Sequence, residues 1–210
     1  MDYQNKQYAG NVKIYMTLTD VLRKKTKNIL IVVSAFFLKI GLTPNFVTIF
    51  GLVGTMIASV IIVRGYYFYG GLLVALMSAL DAIDGTMARL LDSTGKFGCL
   101  LDSLIDRCSE MVLLLGILLN FTFAQNMLGI ISSYLALCGS FLVSYIRARA
   151  EGLGLEVRIG ILTRVERMVI LVICLLISQP LVGVLLVAVL GNFTALQRLW
   201  YVRSILINKE

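Results

Sequence analysis

Histidine is absent from the 210 residues, which excludes an imidazole metal ligand or base and leaves carboxylates as the acid–base groups. The four cysteines, Cys99, Cys108, Cys138 and Cys174, show no C-x-x-C spacing and sit in apolar stretches, so they read as reduced packing residues. No cleavable leader is expected, because the polar stretch from Met1 to Asn28 lacks an apolar h-region. Charge is scarce as well: charged residues make up 15% of the chain against 59% hydrophobic, with a mean hydropathy of +0.89. One soluble domain has too little interior to hide that much apolar surface, so lipid is the expected solvent. The net charge of +7 is then best read as cytoplasmic loops facing anionic lipid. With no soluble basic domain, nucleic acid is not an expected partner.

Crossing about 30 Å of hydrocarbon takes roughly 20 apolar residues per helix, which gives this chain room for about six spans. The expected fold is all-α: a polytopic membrane protein with six transmembrane helices and an N-terminal interfacial amphipathic helix. Residues 1–40 read as the interfacial arm, with Lys13, Arg23, Lys24, Lys25 and Lys27 among apolar residues. The run from Asn28 to Ile40 is too short to span and is expected to lie along the cytoplasmic surface. The membrane domain follows over 41–205. Thr43-Pro44 opens its first helix, which runs to Val63. Later spans are expected near 66–90, 98–121, 126–149, 162–178 and 181–203. The connections near Arg64, at 120–127 and at 178–180 carry one basic residue, and the remaining 18 of the 19 Lys and Arg lie at the opposite ends. The positive-inside bias therefore puts both termini in the cytoplasm. Tyr66, Tyr67, Phe68 and Tyr69 read as an aromatic belt at the outer face.

Six of the twelve acidic residues fall between Asp81 and Glu110, inside or beside two expected spans, where each charge needs a partner. Asp81 and Asp84 are spaced i, i+3, and Asp102 and Asp106 are spaced i, i+4, so each pair projects from one helix face. The short loop at 91–97 makes the two helices antiparallel neighbours whose carboxylates can converge. Four carboxylates without histidine or thiolate are hard oxygen ligands suited to Mg²⁺, Mn²⁺ or Ca²⁺. Gly85 and Gly98 let a backbone or ligand approach closely, and Arg89 stands where a guanidinium can clamp phosphate oxygens.

Read as D-x-x-D-G-x-x-A-R-x8-G-x3-D-x3-D, the stretch from Asp81 to Asp106, with Gly85, Ala88, Arg89 and Gly98 at the fixed positions, resembles the signature of the CDP-alcohol phosphotransferases. The resemblance extends to the arm, the helix layout and both termini. It implies that Asp81, Asp84 and Asp102 bind one or two divalent ions, Mg²⁺ or Mn²⁺, which hold the pyrophosphate of a CDP-activated lipid. It implies that Asp106 also approaches the metal and takes the proton from the acceptor hydroxyl as general base. Gly85, Arg89, Gly98 and the segment Asn45-Phe46-Val47-Thr48 match positions that contact the cytidine diphosphate in relatives. Relatives often have Thr or Ser three residues before the second glycine, where this chain has Gly95, and Thr94 is the neighbouring substitute.

The run Ser144-Tyr145-Ile146-Arg147-Ala148-Arg149-Ala150-Glu151, then Arg164-Val165-Glu166-Arg167 and Gln197-Arg198, is similar to phosphatidylinositol-phosphate synthases and their archaeal ether-lipid counterparts. That similarity implies inositol 1-phosphate as acceptor, its phosphate gripped by Arg147, Arg167 and Arg198. Relatives usually carry Lys at the Arg147 position and Pro at the Val165 position. The donor is then CDP-diacylglycerol or CDP-archaeol, in the plasma membrane, and a homodimer is implied. Glycerol 3-phosphate, serine or another polar alcohol are the competing acceptors. Arg149, Arg158 and Arg164 read as positive-inside residues snorkelling to headgroups, Asp92 as a solvated loop residue, and Glu110 with Arg107 as a structural pair across one turn. A cation channel or transporter is the rival class, but it predicts acidic residues spread through the membrane's depth. An inactive scaffold would not need the aspartates or Arg89.

Overall fold

The structure, a computed structural model, describes residues 18–91, 95–157 and 159–207, with side chains from residue 28 onward. Lys13, Asp92, Thr94 and Arg158, and the side chains of Arg23, Lys24, Lys25 and Lys27, lie outside what is described. Every regular element among the described residues is a helix: α1 (Leu18–Lys39), α2 (Pro44–Val63), α3 (Tyr67–Leu90), α4 (Lys96–Phe123), α5 (Met127–Gly152), α6 (Arg164–Leu176) and α7 (Pro180–Ile207). Local chemistry sets the starts. Thr43 caps α2, its side chain accepting from the Phe46 N–H, with Pro44 in the first turn. Asn126 accepts from the Gly129 N–H at 3.0 Å to open α5. At the start of α6 the Glu166 carboxylate reaches back to the Thr163 N–H.

Four helices, Pro44–Val63, Tyr67–Leu90, Met127–Gly152 and Pro180–Ile207, are long and apolar enough to cross a bilayer. The chain is thus a multi-pass helical membrane protein, but six spans are not what length and hydropathy alone give. At 28 residues, α4 reaches about 42 Å, yet the stretch from Lys96 to Glu110 carries Lys96, Asp102, Asp106, Arg107 and Glu110. With 13 residues, α6 reaches only about 20 Å; its first turn, at Arg164, already stands at the depth of the carboxylates. In α4 the departure comes from the polar residues set into the bundle, and in α6 from its length.

One core cluster joins the bundle, with Ile62 from α2, Val74 from α3, Leu113 and Ile117 from α4, Leu171 and Leu175 from α6, and Val184 and Val187 from α7. The main helix pairs are α5 with α7, α2 with α3, α2 with α4, α4 with α5, α6 with α7, α1 with α3 and α3 with α6. The expected direct pairing of α3 with α4 is not among them. Instead α2 packs between the two, because small residues let it approach both. Gly116 of α4 sits so close to Ser59 of α2 that a Cβ there would collide with it, and the Ser59 hydroxyl donates to the Val112 carbonyl at 2.8 Å. At the end of the bundle away from the aspartates, Tyr67 donates to the Asn120 side chain at 2.6 Å, and Asn120 donates to the Val63 carbonyl at 3.2 Å. These bonds tie the α2–α3 turn to α4.

The arm is bound to the bundle on one side. Leu30, Val33, Phe37 and Leu38 of α1 pack on Val47, Ile83 and Met87, and the buried Ser34 hydroxyl donates to the Ile83 carbonyl at 3.1 Å. Ile29, Val32, Phe36 and Ile40 remain exposed. An apolar outer face on a helix docked this way suits burial in lipid.

Candidate active site

Three helices bring their carboxylates and one cation together near the start of α2. Asp84, on α3, is buried; its Oδ2 accepts from the Thr48 hydroxyl of α2 at 2.7 Å, while its Oδ1 is buried with no hydrogen-bond partner. One turn earlier, Asp81 accepts from Arg164 Nη2 at 2.9 Å, and its Oδ1 stands 3.3 Å from where a side chain on Gly51 would begin. Glycine at 51 therefore makes room for that carboxylate. Asp106, on α4, meets the other arm of the same guanidinium, with Arg164 Nη1 at 2.5 Å from its Oδ2. The negative charge of Asp102 acts on Asp81, Asp84 and Asp106 alike. All four aspartates thus share one electrostatic neighbourhood, although α2 lies between the helices that carry them.

Arg164 was not singled out by the sequence, which offered it as one of several rim cations. A signal existed: it is the first residue of α6, where a cation opposes the helix dipole. Its place there makes sense only with acidic partners brought from elsewhere in the chain.

The residues that the resemblance assigns to the donor divide. Asn45 and Gly98 face each other across the starts of α2 and α4, the Asn45 side-chain oxygen 3.8 Å from where a Gly98 side chain would begin. Around Gly85 the space is open but for Arg89, whose Nη2 donates to the Thr86 hydroxyl at 2.8 Å. Gly95 caps α4 and is exposed. Val47 is buried against Ile83 and Met87 as core, whereas Phe46 points outward and stacks on Phe50. Thr48 supports the carboxylate of Asp84 rather than standing open to a ligand.

The three arginines that the resemblance assigns to the acceptor also differ from one another. Arg147 is exposed and pairs with Glu151 one turn on, at 2.8 Å. Arg198 is buried and donates to the carbonyls of Ile159 at 2.9 Å and Val143 at 2.8 Å. Arg167 is wholly buried and forks onto Glu110. Glu110 therefore does not pair with Arg107, which donates instead to the Ser103 carbonyl at 2.5 Å. The charges of Arg147 and Arg167 both act on Arg198, as do those of Glu151 and Glu166 in the opposite sense, so the three arginines lie within electrostatic reach of one another among carboxylates.

Residues 41–201 match the family model described as CDP-alcohol phosphatidyltransferase. The chain belongs to that family. The archaetidylinositol phosphate synthase of Pyrococcus horikoshii is 38% identical over 186 residues, covering 85% of this chain and 93% of the relative. Among solved structures, the phosphatidylinositol phosphate synthase of Mycobacterium tuberculosis with CDP-DAG bound superposes with a TM-score of 0.78 at 32% identity, covering 83% of this chain and 94% of the other. The same synthase with manganese and citrate gives 0.77 at 31%, covering 82% and 88%. As a CDP-alcohol phosphatidyltransferase, the protein is a membrane-bound enzyme of phospholipid biosynthesis.

Within this phosphatidyltransferase the donor set suits a hard divalent cation. All candidate ligands are carboxylates, and the bare, buried Oδ1 of Asp84 is a group that needs a cation or donor. Among the described residues no three acidic or sulfur side chains close into a ready ligand shell, and the Arg164 guanidinium stands between Asp81 and Asp106.

Proposed function

We propose that this enzyme transfers a phosphatidyl-type group from a CDP-activated lipid to the hydroxyl of inositol 1-phosphate, releasing CMP. The observation that carries the reading is that Asp81, Asp84, Asp102 and Asp106 share one electrostatic neighbourhood, with a buried Asp84 oxygen that has no hydrogen-bond partner. These four carboxylates hold one or two divalent ions, Mg²⁺ or Mn²⁺. When bound, the metal supplies Lewis-acid stabilisation of the charge that develops on the leaving phosphate. The manganese in the mycobacterial synthase supports that assignment.

The donor's cytidine diphosphate lies over Gly85 and against Asn45 and Gly98, which are in contact with each other, with Arg89 on the phosphates; the open space at Gly85 supports this placement. Gly95, at the start of α4, borders it, and Thr94 is assigned to the donor by the family resemblance alone. Asp106 accepts the proton of the acceptor hydroxyl. That oxygen bonds to the lipid-side phosphorus as the bond from phosphorus to the CMP oxygen breaks, so CMP departs with the electron pair. Arg147, Arg167 and Arg198 are the cations that draw the acceptor's phosphate. Arg147, the exposed member, makes direct contact, while Arg167 and Arg198, committed to Glu110 and to backbone carbonyls, supply charge from behind. The names of the relatives support inositol phosphate as acceptor. On this reading α4 and α6 complete six crossings, and both termini and the site face the cytoplasm from the plasma membrane.

The test is to incubate purified protein with Mg²⁺ and either CDP-diacylglycerol or CDP-archaeol, offering inositol 1-phosphate, glycerol 3-phosphate and serine in turn. CMP release and the mass of the lipid product are followed. Release with inositol 1-phosphate and a phosphoinositol lipid product are expected. Release with glycerol 3-phosphate alone would replace the acceptor and keep the reaction class.

A further inference from the structure

The contact of Arg164 with Asp81 and Asp106 joins three helices: Asp81 from α3, Asp106 from α4 and the guanidinium from α6. It lies where the proposed metal ligands converge. Four carboxylates inside a bundle repel one another, and without a cation among them the helices that carry them would be pushed apart. Arg164 is placed to prevent this, yet it is not locked in. Its side chain keeps 24% of its surface exposed, and its Nε is buried without a partner, so the clasp uses only the two terminal nitrogens. Arg167, three residues on, is the contrast: it uses Nε and Nη2 on one carboxylate with 1% exposure. Behind Arg164 the backbone is fixed. The Leu162 N–H donates to the Thr194 hydroxyl at 3.2 Å, and Glu166 holds the Thr163 N–H. Side-chain rotation alone can therefore move the guanidinium while α6 stays in place.

We propose that Arg164 is an exchangeable internal counter-cation: it clasps Asp81 and Asp106 while no divalent ion is bound, and a divalent ion entering the site displaces it. Loading the site is then an exchange of one cation for another. The helices keep the same spacing before and after, and the affinity for the ion is set partly by how tightly Arg164 holds on. This rests on the assignment of the aspartates as metal ligands.

The test uses Mn²⁺ alone, with no lipid or acceptor, on the full chain in detergent. Mn²⁺ binding is measured by titration for the wild type, Arg164→Gln, Arg164→Lys and Asp84→Asn. Removing the competing cation should tighten Mn²⁺ binding in Arg164→Gln by at least about fivefold, the low end of ordinary coupling between sites. Arg164→Lys should fall between, and the metal-free Arg164→Gln protein should melt below wild type and recover when Mn²⁺ is added. If Arg164→Gln does not fold, the wild type still decides: modification of Arg164 by phenylglyoxal, read by mass spectrometry, should rise on adding Mn²⁺. Unchanged or weaker Mn²⁺ binding in a folded Arg164→Gln protein overturns the exchange while leaving the metal assignment intact, as does Mn²⁺-independent labelling in wild type that binds the ion. Wild type that binds no Mn²⁺, or Asp84→Asn that binds it as wild type does, overturns both.

Discussion

Arg167 lays the side of its guanidinium along the carboxylate of Glu110, Nε to Oε1 at 2.6 Å and Nη2 to Oε2 at 2.8 Å, with both side chains almost wholly buried. The third nitrogen reaches the Leu162 carbonyl at 3.3 Å. A buried pair of this kind is costly to break from one side, because the survivor keeps its charge without water or partner. Glu110→Ala should therefore destabilise the protein by about 3–5 kcal/mol, read as a lowered melting temperature in detergent. Replacing both residues with apolar ones should recover much of the loss. A Glu110→Ala protein that melts like wild type would show that Arg167 finds another anion.

Thr48 sets the orientation of Asp84. Its hydroxyl oxygen lies 2.7 Å from Asp84 Oδ2 and 3.0 Å from the Pro44 carbonyl oxygen, and its one proton goes to the closer carboxylate. Thr48→Val keeps the shape and removes the donor. Partners behind a metal ligand commonly contribute 10- to 100-fold in affinity or activity, so Thr48→Val should weaken Mn²⁺ binding or CMP release by about that range. Equal Mn²⁺ affinity and turnover in the two proteins would remove Thr48 from the site.

Helix positions were largely legible in the sequence because each apolar run is bounded by its own local chemistry, as at Thr43-Pro44 and Pro180. The observed α3, Tyr67–Leu90, and α5, Met127–Gly152, lie within a few residues of the expected 66–90 and 126–149. Partner choice was not legible. Helical spacing rules see one turn, so they offered Arg107 to Glu110, whereas the true partner lies 57 residues away. Likewise Arg164 meets Asp81 across 83 residues, a distance over which no periodicity speaks. The small residues that let α2 enter between α3 and α4 are also silent until both surfaces are known.

Asp106 and Asp84 should separate chemistry from binding. Asp106→Asn preserves size and removes the capacity to take a proton, so the donor should still bind while CMP release falls about 10²- to 10⁴-fold, the usual contribution of a positioned base. Binding is followed with CDP-diacylglycerol by calorimetry and turnover by CMP release. Asp84→Asn should instead lose Mn²⁺ and donor binding together. An Asp106→Asn protein that turns over at nearly the wild-type rate would move the base elsewhere.

The interface of α5 with α7 connects packing to the acceptor side. A side chain on Gly139 would begin 2.8 Å from Asn192 Nδ2 and 2.9 Å from the Asn192 backbone nitrogen, so the two helices meet there at glycine's distance. Asn192 uses that closeness, donating to the Leu135 carbonyl at 2.9 Å. One turn beyond Gly139, Arg198 of α7 donates to the Val143 carbonyl of α5 at 2.8 Å, so a wedge at 139 also disturbs the seat of Arg198. Gly139→Val should cost about 1–3 kcal/mol of stability, as overpacking does. It should also raise KM for the phosphorylated acceptor while leaving KM for the CDP-lipid near wild type. Equal rises in both constants would indicate a general loosening of the bundle, and no rise in either would detach Arg198 from acceptor recognition.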